Sequence, residues 1–209
     1  MVSTRKSVIS PLLTGFVVLY MLIFSGLALR QGNSEFLMYA VVMVVFILIV
    51  LVLHGLIKFT PLVLWLLAIW GFVHMGGGTI PIDPALTDAY RAANDEISQP
   101  TSAVLYSLRL SPNLPRYDQF VHTFGFFSAT IACYQALRAL LRAPRSLSTA
   151  IAAALMGIGL GALNEVIEFM AVLTMPDTNV GGYVNTAWDL VANTIGACVA
   201  AVICFTGRK

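Results

Sequence analysis

Two glutamates, Glu165 and Glu168, lie inside an apolar segment that runs from about 148 to 174. This segment is long enough to cross a bilayer, for which a helix needs about 20 residues. Each carboxylate near the middle of a membrane costs about 2.5–3.5 kcal/mol on insertion scales, so the pair needs neutralising partners. Three residues apart on a helix, the two share a face. The two glutamates therefore predict polar or charged partner groups on neighbouring helices.

The composition places the chain in the membrane. Of 209 residues, 58% are hydrophobic and 11% are charged, which is about half the charged fraction of soluble domains. The net charge of +2 is too small to indicate nucleic-acid binding. We expect a single integral membrane domain over residues 1–209, in contact with membrane lipid.

The hydrophobic pattern predicts an all-α, polytopic bundle of about six transmembrane helices. The third predicted span is short and ends at Gly76, the first of three consecutive glycines. In the long connection 79–116, Asp83 and Pro84 predict the start of a short helix through Ala92. Because the spans on either side of it carry ionisable residues, we expect this connection to cover a functional site formed by them. The predicted spans are approximately 8–29, 36–57, 61–76, 119–141, 148–173 and 184–206.

Basic residues predict the orientation, because Lys and Arg are enriched in cytoplasmic loops. With the N-terminus inside, eight basic residues fall on the inner side and four on the outer side. Both termini are therefore predicted to be cytoplasmic, with the loop 79–116 outside. The inner group is Arg5, Lys6, Lys58, Arg138, Arg142, Arg145, Arg208 and Lys209, and the outer group is Arg30, Arg91, Arg109 and Arg116.

With the spans so oriented, ionisable residues from four helices fall at one depth in the outer leaflet. The residues are His74 on the third helix, Asp118 and His122 on the fourth, Glu165 and Glu168 on the fifth, and Asp189 on the sixth. Small residues continue the same faces, as at Gly161 and Gly196, and allow helices to approach closely. The acids are therefore expected to face the bundle interior, where ionisable groups mark functional sites.

Protons, basic side chains or a metal ion could neutralise this cluster. Arg116 is the nearby fixed cation, and it cannot balance four acids alone. Shared protons could, since adjacent carboxylates raise each other's pKa. The third possibility is a divalent ion, for which imidazole with carboxylate suits Zn, Mn or Fe. The candidate ligands are His74, Asp118, His122, Glu168 and Asp189, the candidate base is Glu165, and the candidate supporting residues are Asn164, Asn193, Tyr117 and Arg116.

Four short motifs carry a family resemblance over residues of about 70–200. They are His74-Met-Gly-Gly-Gly, Tyr117-Asp118-x-x-x-His122, Asn164-Glu165-x-x-Glu168 and Trp188-Asp189-Leu190. In this order the chain resembles the YjdF-like bacterial inner-membrane proteins, and its last three helices are more loosely similar to the VanZ-like proteins linked to glycopeptide-antibiotic resistance. The resemblance implies a bacterial inner-membrane location. The chain departs from the family pattern at Gln119, where an Arg is frequent, and at Asn185, where an acid is frequent.

These observations favour a metal-dependent membrane enzyme that acts at the outer face on a lipid or lipid-linked substrate, as a hydrolase or transferase. The second hypothesis is a proton- or cation-coupled transporter. Against it, the sequence has no inverted repeat, and the acids lie in one leaflet rather than at the midplane. The third hypothesis is a noncatalytic envelope or antibiotic-resistance factor whose polar cluster specifies helix packing.

Overall fold

A computed structural model describes residues 9–87, 103–111, 113–175 and 178–207. Within these residues the chain forms six long α-helices and a one-turn 3-10 helix at Leu105–Ser107. The protein is an all-α polytopic membrane protein, as predicted. The long helices are α1 (Pro11–Gln31), α2 (Ser34–Ile57), α3 (Pro61–Thr79), α4 (Tyr117–Leu140), α5 (Leu147–Thr174) and α6 (Tyr183–Thr206).

Local sequence explains where several helices begin and end. Pro11 and Pro61 occupy the first positions of α1 and α3, where a missing N–H costs nothing. Asn33 caps α2 by accepting a hydrogen bond from the Phe36 N–H at 2.9 Å. Gly32 ends α1 with a φ of 65°, a left-handed conformation that glycine adopts without strain.

Five of the six long helices are long and apolar enough to cross a membrane: α1, α2, α3, α5 and α6. The fourth helix, α4, is as long as α2, with 24 residues, but it is not one of these five. It carries Asp118, Gln119 and His122 within its first two turns. It packs against α3, α5 and α6, so neighbouring helices rather than lipid cover these polar groups. The least apolar helix is therefore the central one.

The third helix continues beyond its predicted end. It runs through Gly76, Gly77 and Gly78 to Thr79, rather than stopping at residue 76. A Cβ on Gly77 would lie 2.9 Å from the Tyr106 ring, and a Cβ on Gly78 would collide with the Phe36 ring. The glycines therefore do not break this helix. They let two aromatic rings pack directly on its backbone, which compensates the low helix propensity of glycine.

The candidate site residues lie at one end of the bundle, which we call the site end. There the Gln31 side chain donates to the Thr79 carbonyl at 2.8 Å, joining α1 to α3. At the opposite end Leu13 packs with Ile57, and a Cβ on Gly207 would meet Arg145. The start of α1 and the end of α6 therefore lie at the end away from the site.

The two ends of the long connection pair with each other above α3. The Ile82 N–H donates to the Ala103 carbonyl at 3.0 Å, and the Leu105 N–H donates to the Ile80 carbonyl at 2.9 Å. Helical turns begin at Ala85, whose N–H donates to the Asp83 side chain at 2.9 Å. The start of the predicted short helix is thus present, and its continuation to Ala92 lies outside the described residues.

Candidate functional site

The site is centred on His122, on the second turn of α4. Its Nε2 lies 3.5 Å from Asp118 Oδ1, one turn earlier on the same helix. Both residues are buried, with 6% and 8% of their surfaces exposed. The i, i+4 spacing brings the imidazole and the carboxylate together, as the sequence predicts.

The two glutamates of α5 approach His122 from its two ring nitrogens. Glu165 Oε1 lies 3.5 Å from Nδ1, and Glu168 Oε1 lies 3.6 Å from Nε2. Glu165 is buried, and its Oε2 has no hydrogen-bond partner among the described residues. A buried oxygen without a partner is rare in a folded protein. The atom is therefore available to a proton, a water molecule or an ion.

The sixth helix supplies Asp189, which is fully buried. Its Oδ2 accepts from Asn185 Nδ2 at 2.6 Å, and its Oδ1 accepts from Gln119 Nε2 at 3.3 Å. Donor atoms of Asp189, Asp118 and His122 all lie within 4.8 Å of one another. A second such group consists of His122, Glu165 and Glu168. Four of the five candidate ligands thus belong to groups that share His122.

Two asparagines contact these groups at the positions predicted to support them. Asn193 Oδ1 lies 3.0 Å from His122 Nδ1, and its Nδ2 donates to Glu165 Oε1 at 3.3 Å. Asn164 Nδ2 donates to Glu168 Oε1 at 2.7 Å. Each asparagine therefore orients a candidate ligand or the candidate base.

The hydrogen bonds around His122 assign its proton. Both neighbours of Nδ1, Asn193 Oδ1 and Glu165 Oε1, are acceptors, so Nδ1 carries a hydrogen. Nε2 faces the carboxylate oxygens of Asp118 and Glu168. Either a second proton on Nε2 or a cation shared with the carboxylates satisfies this arrangement.

His74 reaches the site from α3 but belongs to neither three-residue group. Its ring stacks on Trp70, and its Nδ1 is hydrogen-bonded to the hydroxyl of Tyr106. Together with His122 and Glu168, it lines a small cavity. The role of His74 as a ligand stays a prediction, and the described residues give its Nδ1 a different partner.

Tyr106 brings the long connection into the site. It lies in the 3-10 helix, is buried, and packs against Phe36 and Tyr117. Burial, followed by the charges of Asp118 and Glu168, raises the pKa of its hydroxyl well above the usual value. The hydroxyl therefore keeps its proton. Tyr106 is thus the residue through which the 3-10 helix reaches the site, and residues 88–102 and 112 of the connection lie outside the described residues.

The other two predicted supporting residues lie at the edge of the site. The Tyr117 hydroxyl donates to the Val73 carbonyl at 3.1 Å, next to His74. Arg116 is buried, and its Nη1 donates to Asn185 Oδ1. Arg116 therefore acts on Asp189 through Asn185.

Comparison with known protein families identifies the family of this chain. A family model described as "Predicted membrane protein (DUF2238)" matches residues 11–209. The chain belongs to this family. No curated protein matches the chain, and no solved structure matches it.

In this DUF2238 protein the small-residue faces pack as predicted. A Cβ on Gly161 of α5 would lie 2.9 Å from the Asn193 side chain, and a Cβ on Gly196 of α6 would collide with the α4 backbone at Thr123. Helices α4, α5 and α6 can therefore approach closely enough for their polar residues to contact one another. The glycines are part of what assembles the site.

Sequence reasoning missed Glu35 as a site residue of the DUF2238 chain. Glu35 lies in the first turn of α2 and is only 4% exposed. Its Oε2 accepts from the Asn179 N–H at 2.9 Å. An acid in the first turn of a helix is ordinarily explained by the helix dipole. Its contact with Asn179, which is far away in the chain, is one that no local pattern indicates.

The two departures from the YjdF-like pattern contact each other. Gln119 Nε2 lies 3.5 Å from Asn185 Oδ1. Asn185 Nδ2 also lies within hydrogen-bond distance of carboxylate oxygens of Asp118, at 3.2 Å, and Asp189. A pair of neutral amides thus occupies the place where the resemblance implies a charged pair. Asn185 and Gln119 act as donors to the acids.

Proposed function

We propose that this protein is a metal-dependent membrane enzyme that acts on a lipid or lipid-linked substrate, as a hydrolase or transferase. The observation that carries the proposal is the environment of His122. Its Nδ1 is held by Asn193, while its Nε2 faces oxygens of Asp118 and Glu168. Metal-binding histidines ordinarily have one nitrogen held by such a partner, which leaves the other oriented toward the ion.

The donor set fits a divalent ion. One imidazole nitrogen with several carboxylate oxygens suits Zn, Mn or Fe. The ligands would be His122, Asp118, Asp189 and Glu168, whose donor atoms form the two groups around His122. The unpartnered Oε2 of Glu165 supports the same conclusion, because a nearby ion would compensate its burial.

When bound, the ion would supply Lewis-acid polarisation of an ester or phosphate oxygen. Glu165 is the proposed general base. Asn193 donates to its Oε1 at 3.3 Å, and its Oε2 has no partner within the described ranges. Oε2 can therefore accept the proton of an attacking water or hydroxyl group. Asn164 holds Glu168 in place at 2.7 Å. Tyr106 and the surrounding aromatic rings limit the access of water to the site.

The proposal includes a placement in the bacterial inner membrane, with both termini cytoplasmic and the site at the outer face. The eight-to-four distribution of basic residues supports this orientation. The YjdF-like motifs support the location, while the looser similarity to VanZ-like proteins remains a prediction. At the outer face the site would lie near lipid headgroups, where ester and phosphate bonds are found.

Metal content and lipid turnover together test the proposal. Purified protein would be stripped with a chelator, reloaded with Zn, Mn or Fe, and analysed by mass spectrometry of the metals. We expect the wild type and His54→Ala to retain one ion, and His122→Ala to lose it. His54 is a suitable control because it is also a buried histidine and packs on Phe59 at the opposite end.

The same preparations would be incubated with a bacterial lipid extract, and released headgroups would be measured. We expect release by the metal-loaded wild type and none by His122→Ala. Equal metal content in all three proteins would contradict metal binding at His122. Metal-loaded wild type that changes no lipid would contradict the enzymatic assignment.

A further inference from the structure

A second small cavity lies next to the two three-residue groups around His122. Metal binding by these groups does not account for the other residues that line it. Three carboxylates and three aromatic rings line it: Glu35, Asp118, Glu168, Tyr39, His74 and Tyr106. Two of the carboxylates also belong to the groups around His122. Glu35 and Tyr39 come from α2, which contributes to neither group. The cavity therefore extends the site toward α2.

Glu35 is a buried acid whose protein partner is an uncharged amide. It is 4% exposed, and its Oε2 accepts from the N–H and the Nδ2 of Asn179 at 2.9 and 3.4 Å. Among the described residues, no basic side chain lies within 4.0 Å of its carboxylate. A buried carboxylate is costly without a positive partner. A cation from outside the protein would compensate the charge of this carboxylate.

Tyr39 supplies an independent sign that the cavity takes a ligand. It is only 6% exposed, and its hydroxyl has no hydrogen-bond partner in the part of the chain that the structure describes. Its ring lies edge-on to His74, with the ring centroids 5.6 Å apart. A buried hydroxyl without a partner has lost its hydrogen bonds to water and gained none in return. A ligand that accepts or donates a hydrogen bond here would supply one.

The spacing of the acids favours an ammonium group over a second metal ion. Among the described residues, Glu35 belongs to no group of three ligand atoms within 4.8 Å, so its carboxylate does not share a small ion with two others. A primary ammonium has three N–H donors that point in different directions. Carboxylates and the aromatic rings of Tyr39 and Tyr106 line the cavity, and cations favour both kinds of group.

We propose that this cavity binds the primary ammonium group of a lipid headgroup, with Glu35 as its charge partner and Tyr39 as a hydrogen-bond partner. The small cavity suits a primary ammonium, whereas a trimethylammonium group would require the aromatic rings to separate. This inference names the substrate class of the proposed enzyme and rests on that function for the reaction, although the binding step itself requires no metal.

The position of Glu35 favours a lipid as the source of the ammonium group. Helix α2 has 24 residues, which correspond to about 36 Å, against a hydrocarbon core of about 30 Å. Its first turn, with Glu35, therefore lies at the level of the headgroups. Because the cavity shares Asp118 and Glu168 with the metal-binding groups, an ethanolamine headgroup here would place its phosphate next to them.

Binding would be measured by native mass spectrometry on metal-free protein in dodecyl maltoside. The probes are dihexanoyl phosphatidylethanolamine, phosphatidylcholine and phosphatidylglycerol, with free ethanolamine as a further arm. We expect the ethanolamine lipid to bind most tightly. Glu35→Gln should weaken that binding about 10–100-fold, since hydrogen bonds to charged groups are the strong ones. The control is Asp83→Asn, an exposed acid in the long connection.

Tyr39→Phe separates a ligand contact from a structural role. The variant should weaken ethanolamine-lipid binding without lowering the melting temperature, because no described residue is hydrogen-bonded to the hydroxyl. A lower melting temperature with unchanged binding would overturn this assignment. Equal binding of the three lipids, or unchanged binding by Glu35→Gln, would overturn the ammonium site, and equal binding of free ethanolamine would overturn the lipid source.

The metal-dependent function and the ammonium site can be refuted independently of each other. If the wild type retains none of the three metal ions while the ethanolamine lipid still binds through Glu35, the metal assignment is wrong and the ammonium site stands. If the wild type retains a metal ion but Glu35→Gln leaves lipid binding unchanged, the ammonium site is wrong and the metal assignment stands. Measuring both quantities on the same preparations therefore distinguishes the two failures.

Discussion

Replacing Asn193 with alanine tests the arrangement at the centre of the site. Asn193 is 1% exposed on α6 and joins two other helices through one amide. Its Oδ1 is the 3.0 Å partner of His122 Nδ1 on α4, and its Nδ2 donates to Glu165 Oε1 on α5 at 3.3 Å. Alanine removes both contacts and leaves the imidazole N–H and one glutamate oxygen buried without them.

The expected magnitudes follow from these two contacts. Each buried polar group that loses its partner costs about 1–3 kcal/mol of stability. Residues that orient a metal-binding histidine change metal affinity about 10–100-fold. We therefore expect Asn193→Ala to lower both the free energy of unfolding and the affinity for zinc, with the loss of affinity arising from the freed rotation of the His122 ring.

Zinc affinity would be measured by competition with a chelating dye, and stability by thermal unfolding in the same detergent. The control is Thr194→Ala, because Thr194 is the next residue, is exposed, and donates within its own helix, to the Leu190 carbonyl at 2.8 Å. Zinc affinity equal to that of the wild type in a folded Asn193→Ala protein would refute the inferred role of His122 Nε2. A loss of stability alone would instead indicate that the polar cluster specifies helix packing.

Three further predictions concern the base, the packing of α3 and the topology. Glu165→Gln should abolish lipid turnover while the protein still folds, because the amide cannot accept the proton. Gly78→Ala should lower the free energy of unfolding by about 1–3 kcal/mol, since its methyl group collides with the Phe36 ring. From outside intact cells, a membrane-impermeant maleimide should label Ser98→Cys but not Ser146→Cys.

Each of these predictions has a matched comparison. Val166→Ala, at an exposed position next to the base, should keep its activity, and a Glu165→Gln protein with full turnover would exclude that glutamate as the base. Gly15→Ala meets no atom within 4 Å and should leave thermal unfolding unchanged. Equal melting temperatures for the Gly15 and Gly78 variants would contradict the packing argument. Labelling of position 146 but not of position 98 would contradict the predicted orientation.

Much of the site was predictable because it lies on helices. Asp118 with His122, and Glu165 with Glu168, are separated by spacings that put each pair on one face. The cost of burying acids in an apolar segment then implied that these faces meet inside the bundle. The observed separations of 3.5 and 3.6 Å around His122 agree with that reasoning. The metal that would occupy them stays a prediction.

Residues that reach the site through loops were less accessible to this reasoning. Tyr106 lies in a connection whose register no periodicity indicates, yet it supplies the partner of His74. Glu35 had the appearance of an ordinary first-turn acid, and its partner Asn179 comes from a distant segment. In both cases the deciding contact joins residues that are far apart in the chain.

The sequence alone determined the helices and the faces on which their polar residues lie. A bilayer demands long apolar segments with internal hydrogen bonds, and helical geometry relates neighbours three and four residues apart. Only the tertiary structure decided which atoms meet across helices. Gly161 admits Asn193, and Gly196 admits the α4 backbone, so the distance between facing polar groups depends on close contacts between helices, which spacing along one helix does not encode.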